Sequence, residues 1–243
     1  VRFALVAEDH GHVIAATTLV DATALAHVDW LDGVLEDSRS WTGLKPEETW
    51  YKYNPADARD IRSFKINGRR FDPHGKINGE ALKPEAGMWR AALMQLANSH
   101  PRPDLVVLVR DMDGYDTRRE GMEQVRSGFE WPFPILIATP RPEVEAWHVA
   151  GFVPQDLDEQ QRLNDLQHKL SFNPVTQSHR LTSHPNDAPT DSKIVLAVLT
   201  GGDAARKMAC LDDITLLRTH GVGNGLAAFL QEAQEKVPPL FLG

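Results

Sequence analysis

The sequence predicts an α/β fold: a mainly parallel sheet flanked by helices, with a hairpin insertion and a helical C-terminal extension. Three observations carry this. Short apolar runs recur at residues 3–7, 105–109 and 134–138. They are continuous rather than alternating, as in strands buried on both faces. Helix-spaced segments separate them, and strand–helix alternation means a parallel sheet covered by helices. The first two runs also end in carboxylates, Glu8 after one and Asp111 and Asp113 after the other. Open sheets of this type place their chemistry at the carboxyl ends of the strands.

The elements follow in order. Residues 13–28 suit a buried helix. Residues 29–50 read as irregular, with Trp30, Trp41 and Trp50 as packing anchors for a loop. Residues 59–71 read as strand, turn, strand, because Asn67-Gly68 is the strongest short-range hairpin signal in the chain. Asn78-Gly79 marks a second turn. Residues 84–97 carry Met88, Ala91, Ala92, Met94, Leu96 and Ala97 on or near one side of a helix. Residues 117–127 form the helix after the central strand. Thr139, Pro140 and Pro142 look like helix-start residues. The helix they begin would carry Glu143, Glu145 and Trp147. Beyond Val153 the chain turns polar, with helices at 164–170, 191–199, 204–210 and 225–235, and a long loop or lid at 171–190. The expected organisation is an α/β domain over 1–152, with an insertion at about 29–83. A mainly helical extension over 153–243 packs on it.

Bulk properties narrow the function. No apolar run approaches the roughly 18 to 20 residues that cross a bilayer, and the first ten residues read as a strand rather than a signal peptide. The single cysteine, Cys210, forms no internal disulfide and excludes a cysteine-based zinc site. A reducing cytoplasm fits, and Cys210 reads as a small core residue. A net charge of −8 argues against a generic nucleic-acid coating protein. It leaves room for a nucleic-acid enzyme, because a divalent metal offsets clustered carboxylates locally. Residues 51–90 run against the trend, with nine Lys or Arg against five acids.

Glu8, Asp111 with Asp113, and Glu143 or Glu145 are expected at one sheet edge. Carboxylates gathered there repel one another without a cation, and oxygen donors suit magnesium, manganese or calcium. The Asp-x-Asp spacing puts two carboxylates on the same side of an extended chain, about 7 Å apart. Such a site activates water and offsets charge on a phosphodiester. Each acid also has a plain structural account: Asp111, Asp113 and Asp116 favour turns, and Glu143 suits a helix's first turn.

A first strand ending in Glu8 and a later one ending in Asp111-x-Asp113 resembles the Toprim fold of topoisomerases, primases and OLD-type nucleases. Residues 135–152, ILIATPRPEVEAWHVAGF, are similar to the Pro-x-x-Glu-Ala-Trp segment of stand-alone Toprim proteins grouped as DUF4276. The tail PTDSKIVLAVLTGG, the Leu211-Asp-Asp that follows and Phe229 in a late helix are similar to that group as well. The resemblance implies magnesium- or manganese-dependent strand cutting, often beside an ATPase partner in bacterial defence. By position it makes Glu8 the metal-binding or acid/base glutamate and Asp111 and Asp113 the metal ligands. Glu145 completes the shell over Trp147, and Lys193 is the basic residue near the scissile phosphate. The nucleic-acid contact falls on the basic segment, with Arg62, Lys65, Arg69 and Arg70 among Tyr51, Tyr53, Phe64 and Phe71. A homo-oligomer is compatible with all of this. Two positions depart from the pattern: Asp9 stands where a glycine is usual, and His12 where OLD-type sites carry an acid.

Other readings compete. A Toprim subunit that has lost catalysis and regulates an ATPase fits the acidic surface and the altered neighbourhood of Glu8. Asp111-Met-Asp113-Gly114 also looks like the first motif of haloacid-dehalogenase-type phosphatases, whose first aspartate is the nucleophile. That family's later acidic motif is poorly matched, since Gly202-Asp203 is followed by Lys207. Zinc chemistry among His10, His12, His179 and His184 lacks a His-Glu-x-x-His pattern.

Overall fold

The computed structural model describes residues 1–45, 47–53, 75–183 and 189–243, with the paired backbone of 65–66 and 69–70. The strands among them are β1 (Arg2–Ala7), β2 (Ser40–Thr42), β3 (Tyr51–Lys52), β4 (Lys65–Ile66), β5 (Arg69–Arg70), β6 (Lys76–Ile77), β7 (Glu80–Ala81), β8 (Leu105–Val109) and β9 (Ile135–Ala138). The helices are α1 (His10–Leu25), α2 (Leu35–Ser38), α3 (Ala86–Ala97), α4 (Thr117–Ser127), α5 (Glu145–Ala150), α6 (Leu157–Leu170), α7 (Ser192–Thr200), α8 (Ala204–Ala209), α9 (Ile214–His220), α10 (Leu226–Lys236) and α11 (Pro239–Leu242).

The predicted α/β architecture is present. Five strands form one parallel sheet in the order β2-β1-β8-β9, with β3 pairing β1 beyond β2. The chain leaves β1 towards β2 and β3, then crosses back to β8 and β9. The strand order therefore reverses between β1 and β8, and a crevice opens at such a reversal, outside the carboxyl ends.

Period-two alternation sorts the side chains. Phe3, Leu5, Ala7, Leu105, Val107, Val109, Leu136 and Ala138 face one layer, where α1 and α10 supply Leu19, Val20, Phe229 and Leu230. Ala4, Val6, Val106, Leu108, Ile135 and Ile137 face the other, covered by Trp89, Leu93 and Leu96 of α3 and Met122 and Val125 of α4. All these strand residues are buried. Burying each Val or Leu contributes about 1.5–3 kcal/mol relative to exposure, so a charge at Val107 would break the sheet's centre. Right-handed crossovers account for the two layers: a helix leading one way along the sheet and one leading back lie on opposite faces.

The chain beyond 152 does two separate things. Phe152, Leu163, Leu166, Val195, Leu196, Leu199 and Cys210 form a helical core of their own. Leu211, Leu217, Leu226, Phe229 and Phe241 instead complete the layer over the sheet.

Several local expectations need correction. Residues 29–50 contain α2 and β2, not only loop; Trp41 packs on Phe3 at 5.0 Å, whereas Trp30 stays half exposed against Phe241. Strands of two or three residues carry no readable periodicity. The helix after β9 begins at Glu145, not at Thr139. Residues before proline are held away from the α region, and the carbonyls of Pro140 and Pro142 accept from Met112 and Asp113 instead. Helix α6 starts at Leu157, well before residue 164, because the Asp156 side chain caps it. Helix α9, capped by Asp213, was not expected. Of the hairpin expected over 59–71, 65–66 and 69–70 are described and pair antiparallel as β4 and β5, while its other residues, Asn67 and Gly68 among them, lie outside the described residues. Asn78-Gly79 forms the second turn, with both residues at positive φ and Ile77 paired with Glu80. Among the described residues no helix is long and apolar enough to cross a membrane.

Candidate metal centre at the sheet edge

The register of β1 on β8 pairs Phe3 with Leu105 and Val6 with Leu108. Two steps further, Glu8 stands level with Arg110 rather than with Asp111. Alternation then splits the neighbours. Arg110 turns towards α3, where it forms an ion pair with Glu8 and bonds Glu85 through Nε and Nη2 at 3.2 and 3.1 Å. Asp111 turns towards α1, where its Oδ1 lies 2.8 Å from Nε2 of His12.

His12 arrives there for a local reason. Asp9 caps α1, its side chain accepting from the His12 backbone N–H at 3.1 Å. The same Oδ1 lies 2.8 Å from His12 Nδ1. His12 is buried between the two carboxylates. Burial opposes its charge, but the two carboxylates against it, Asp111 and Asp9, outweigh that and push its pKa up to about 10. Burial also pushes the Asp111 carboxyl up, to about 6, with His12 pulling the other way. Asp9 is held well below the usual carboxylate range, chiefly by its hydrogen bond to His12.

The loop after β8 is bent by Asp113 (φ 46°) and Gly114 (φ 78°). Glu85 also lies at positive φ, 63°. Left-handed backbone at a carboxylate is costly, and such residues gather at functional sites. Asp113 pairs with Arg118, whose Nη1 donates to the Asp111 carbonyl at 2.8 Å. Glu143 is buried beneath the start of α7, where Asp191 caps the helix. The Ser192 hydroxyl donates to Glu143, and Lys193 Nζ lies 2.8 Å from its other oxygen. Burial raises the Glu143 pKa, and Lys193 and Ser192 counter it.

Two groups could therefore hold an ion: Glu8, His12 and Asp111, and Asp111, Asp113 and Glu143. Within each, one ligand atom per residue lies within 4.8 Å of the others. Charge points the same way. Glu8, Asp9, Glu85, Asp111, Asp113 and Glu143 outnumber their cationic partners Arg110, Arg118, Lys193 and His12, six to four. The donors are mostly oxygen, which suits a hard divalent ion such as Mg²⁺ or Mn²⁺.

Of the residues singled out in the sequence, Glu8, Asp111 and Asp113 meet at this edge, and Lys193 reaches it through Glu143. Glu145 does not join either group. It opens α5 and faces Lys207 at 3.7 Å, while Glu143, in the preceding turn, takes the inner position. Arg62 lies outside the described residues. Lys65, Arg69 and Arg70 are placed only as backbone in β4 and β5. His12, Arg110, Glu85 and Arg118 were missed. Alternation past Val109 and the Asp9-x-x-His12 cap spacing were the signals that could have found the first two. No family model, curated protein or solved structure matches the chain.

Proposed function

We propose that this chain is a divalent-metal-dependent nuclease of the Toprim kind, cutting phosphodiester bonds in DNA or RNA at the β1–β8 edge. One observation carries the reading. Glu8, Asp111, Asp113 and Glu143 come from three segments to the carboxyl end of the sheet, and together with Asp9 and Glu85 they outnumber the cationic side chains paired with them, six against Arg110, Arg118, Lys193 and His12. Bound there, Mg²⁺ or Mn²⁺ would supply an activated water and offset phosphate charge. Glu8, His12, Asp111, Asp113 and Glu143 would hold it. Lys193, held by Glu143 but with a largely exposed side chain, is suited to orienting the phosphate. A cavity of about 230 Å³ beside it, walled in part by Lys207 and Leu196, leaves space for the neighbouring part of a substrate. A role in bacterial defence belongs to the same proposal and rests on the family resemblance alone.

The test is incubation with supercoiled plasmid, linear DNA and tRNA, with Mg²⁺, Mn²⁺ or EDTA. Metal-dependent cutting that disappears in Asp111→Ala supports the reading. Cutting that survives Asp111→Ala, or persists in EDTA, contradicts it. A second reading, a non-cutting Toprim subunit that regulates an ATPase, is favoured by one feature: Arg110 and Arg118 already engage Glu8 and Asp113. Stable association with an ATPase, with no cutting under any metal, would select it.

A further inference from the structure

We propose that His12 Nε2 is a direct nitrogen donor to the divalent ion, so that the Glu8–His12–Asp111 group takes a first-row transition ion in preference to Mg²⁺. The inference rests on the metal-centre reading above and adds which class of ion this edge selects.

Three features of the geometry support it. The first is orientation. His12 Nδ1 is committed to Asp9 at 2.8 Å, and the Asp9 oxygen that holds it also caps α1. A ligating histidine is typically steered in this way, its far ring nitrogen held by a carboxylate while the near one faces the metal. The second is an unused pair of atoms. Nε2 lies only 2.8 Å from Asp111 Oδ1, yet the two are out of line for a hydrogen bond, and each is buried with no hydrogen-bond partner. His12 itself is 1% exposed. Two donor atoms that are close but not aimed at each other are suited to a shared third point. Neighbouring ligands on an octahedral ion with bonds of about 2.1 Å stand about 3 Å apart, close to the separation seen. The third is convergence: a Glu8 oxygen lies within 4.8 Å of a ligand atom of His12 and of one of Asp111.

The donor chemistry then decides the ion. Mg²⁺ prefers oxygen and gives up its waters reluctantly. Imidazole favours the later first-row ions, and affinity at a mixed nitrogen–oxygen site rises across that row. A histidine where an acid would give an all-oxygen set therefore tilts the centre away from Mg²⁺.

The test uses the untagged full chain with Mn²⁺ as the probe. Pulsed electron paramagnetic resonance of bound Mn²⁺ should show ¹⁴N modulation from a directly bonded nitrogen. Displacing that Mn²⁺ should take at least ~10-fold more free Mg²⁺ than Mn²⁺. In His12→Gln the modulation should vanish. In His12→Asp, which restores an oxygen donor, Mn²⁺ should still bind without modulation, and the preference over Mg²⁺ should shrink. Circular dichroism identifies a variant that fails to fold, and the wild-type spectrum decides the question by itself. Wild-type protein that binds Mn²⁺ through Asp111 without ¹⁴N modulation overturns the proposal, as does protein that binds no Mn²⁺ at this edge. The outcomes also separate the two readings. Nitrogen-bound Mn²⁺ without nucleic-acid cutting removes the nuclease and keeps this inference. Cutting with an all-oxygen Mn²⁺ centre does the reverse.

Discussion

His12 and His148 are equally buried and carry opposite charge tendencies. His148, in α5, packs against the end of α8, with Nδ1 donating to the Lys207 carbonyl at 3.0 Å. Burial pushes its pKa down to about 4, and the Lys207 charge works in the same direction. His12 meets the same penalty, but Asp111 and Asp9 reverse it. Burial alone therefore does not set the state of an imidazole here; the anions facing it do. The seam around His148 behaves as packing, where a charge has no place. The edge around His12 keeps charged groups inside at a desolvation cost, as the proposed metal centre would require.

Removing the anion from His12 is the strongest way to break this contrast. Asp111 belongs to both candidate ion groups. In Asp111→Ala, Mn²⁺ affinity should fall by at least ~100-fold, measured by isothermal titration calorimetry, and the His12 pKa should drop, measured by NMR. Unchanged affinity would place the ion elsewhere.

The next effect is a pair of opposite pH slopes. In metal-free protein the folded His12 pKa, about 10, lies above its ordinary 6.5. Its contribution is complete below pH 6.5 and is lost as pH rises towards 10. His148 has the reverse sign. Its folded pKa of about 4 lies below 6.5, so stability is complete above pH 6.5 and falls with acid. Between pH 6.5 and 5 the loss should be about 2 kcal/mol. Urea unfolding across pH, with His12→Gln and His148→Gln, checks both: each variant should flatten only its own limb. A single variant flattening both limbs, or neither, would show that the two sites do not differ in the way described.

The smallest effect sharpens the link between α7 and the edge. Asp191 caps α7 and so sets Ser192 and Lys193 against Glu143. Asp191→Ala should cost about 1 kcal/mol of stability and weaken any phosphate positioning by Lys193. A thermal melt and a KM measurement on a cut substrate would read these. A loss of stability with KM unchanged would confine Asp191 to structure.

The sequence made the buried strands and their terminal acids legible, because apolar runs and turn-forming aspartates are local signals. Register was not legible. That Glu8 stands level with Arg110, and that Arg110 and Asp111 serve opposite faces, depends on pairing between strands about a hundred residues apart. Glu143 and Glu145 looked equivalent because Pro140 and Pro142 resemble a helix start. The structure spends that stretch on hydrogen bonds to the loop after β8, which puts only Glu143 inside. Strands β2 and β3 escaped notice because they are shorter than any period. His12 read as a departure from a family pattern, and its role became clear only once Asp9 and Asp111 flanked it in space.

The most direct measurement is anomalous diffraction from crystals grown with Mn²⁺. The account predicts a peak at the β1–β8 edge within bonding distance of Asp111, with Glu8 or Glu143 as a second ligand. An edge with no peak at saturating Mn²⁺, and with Arg110 and Arg118 still holding Glu8 and Asp113, would contradict it.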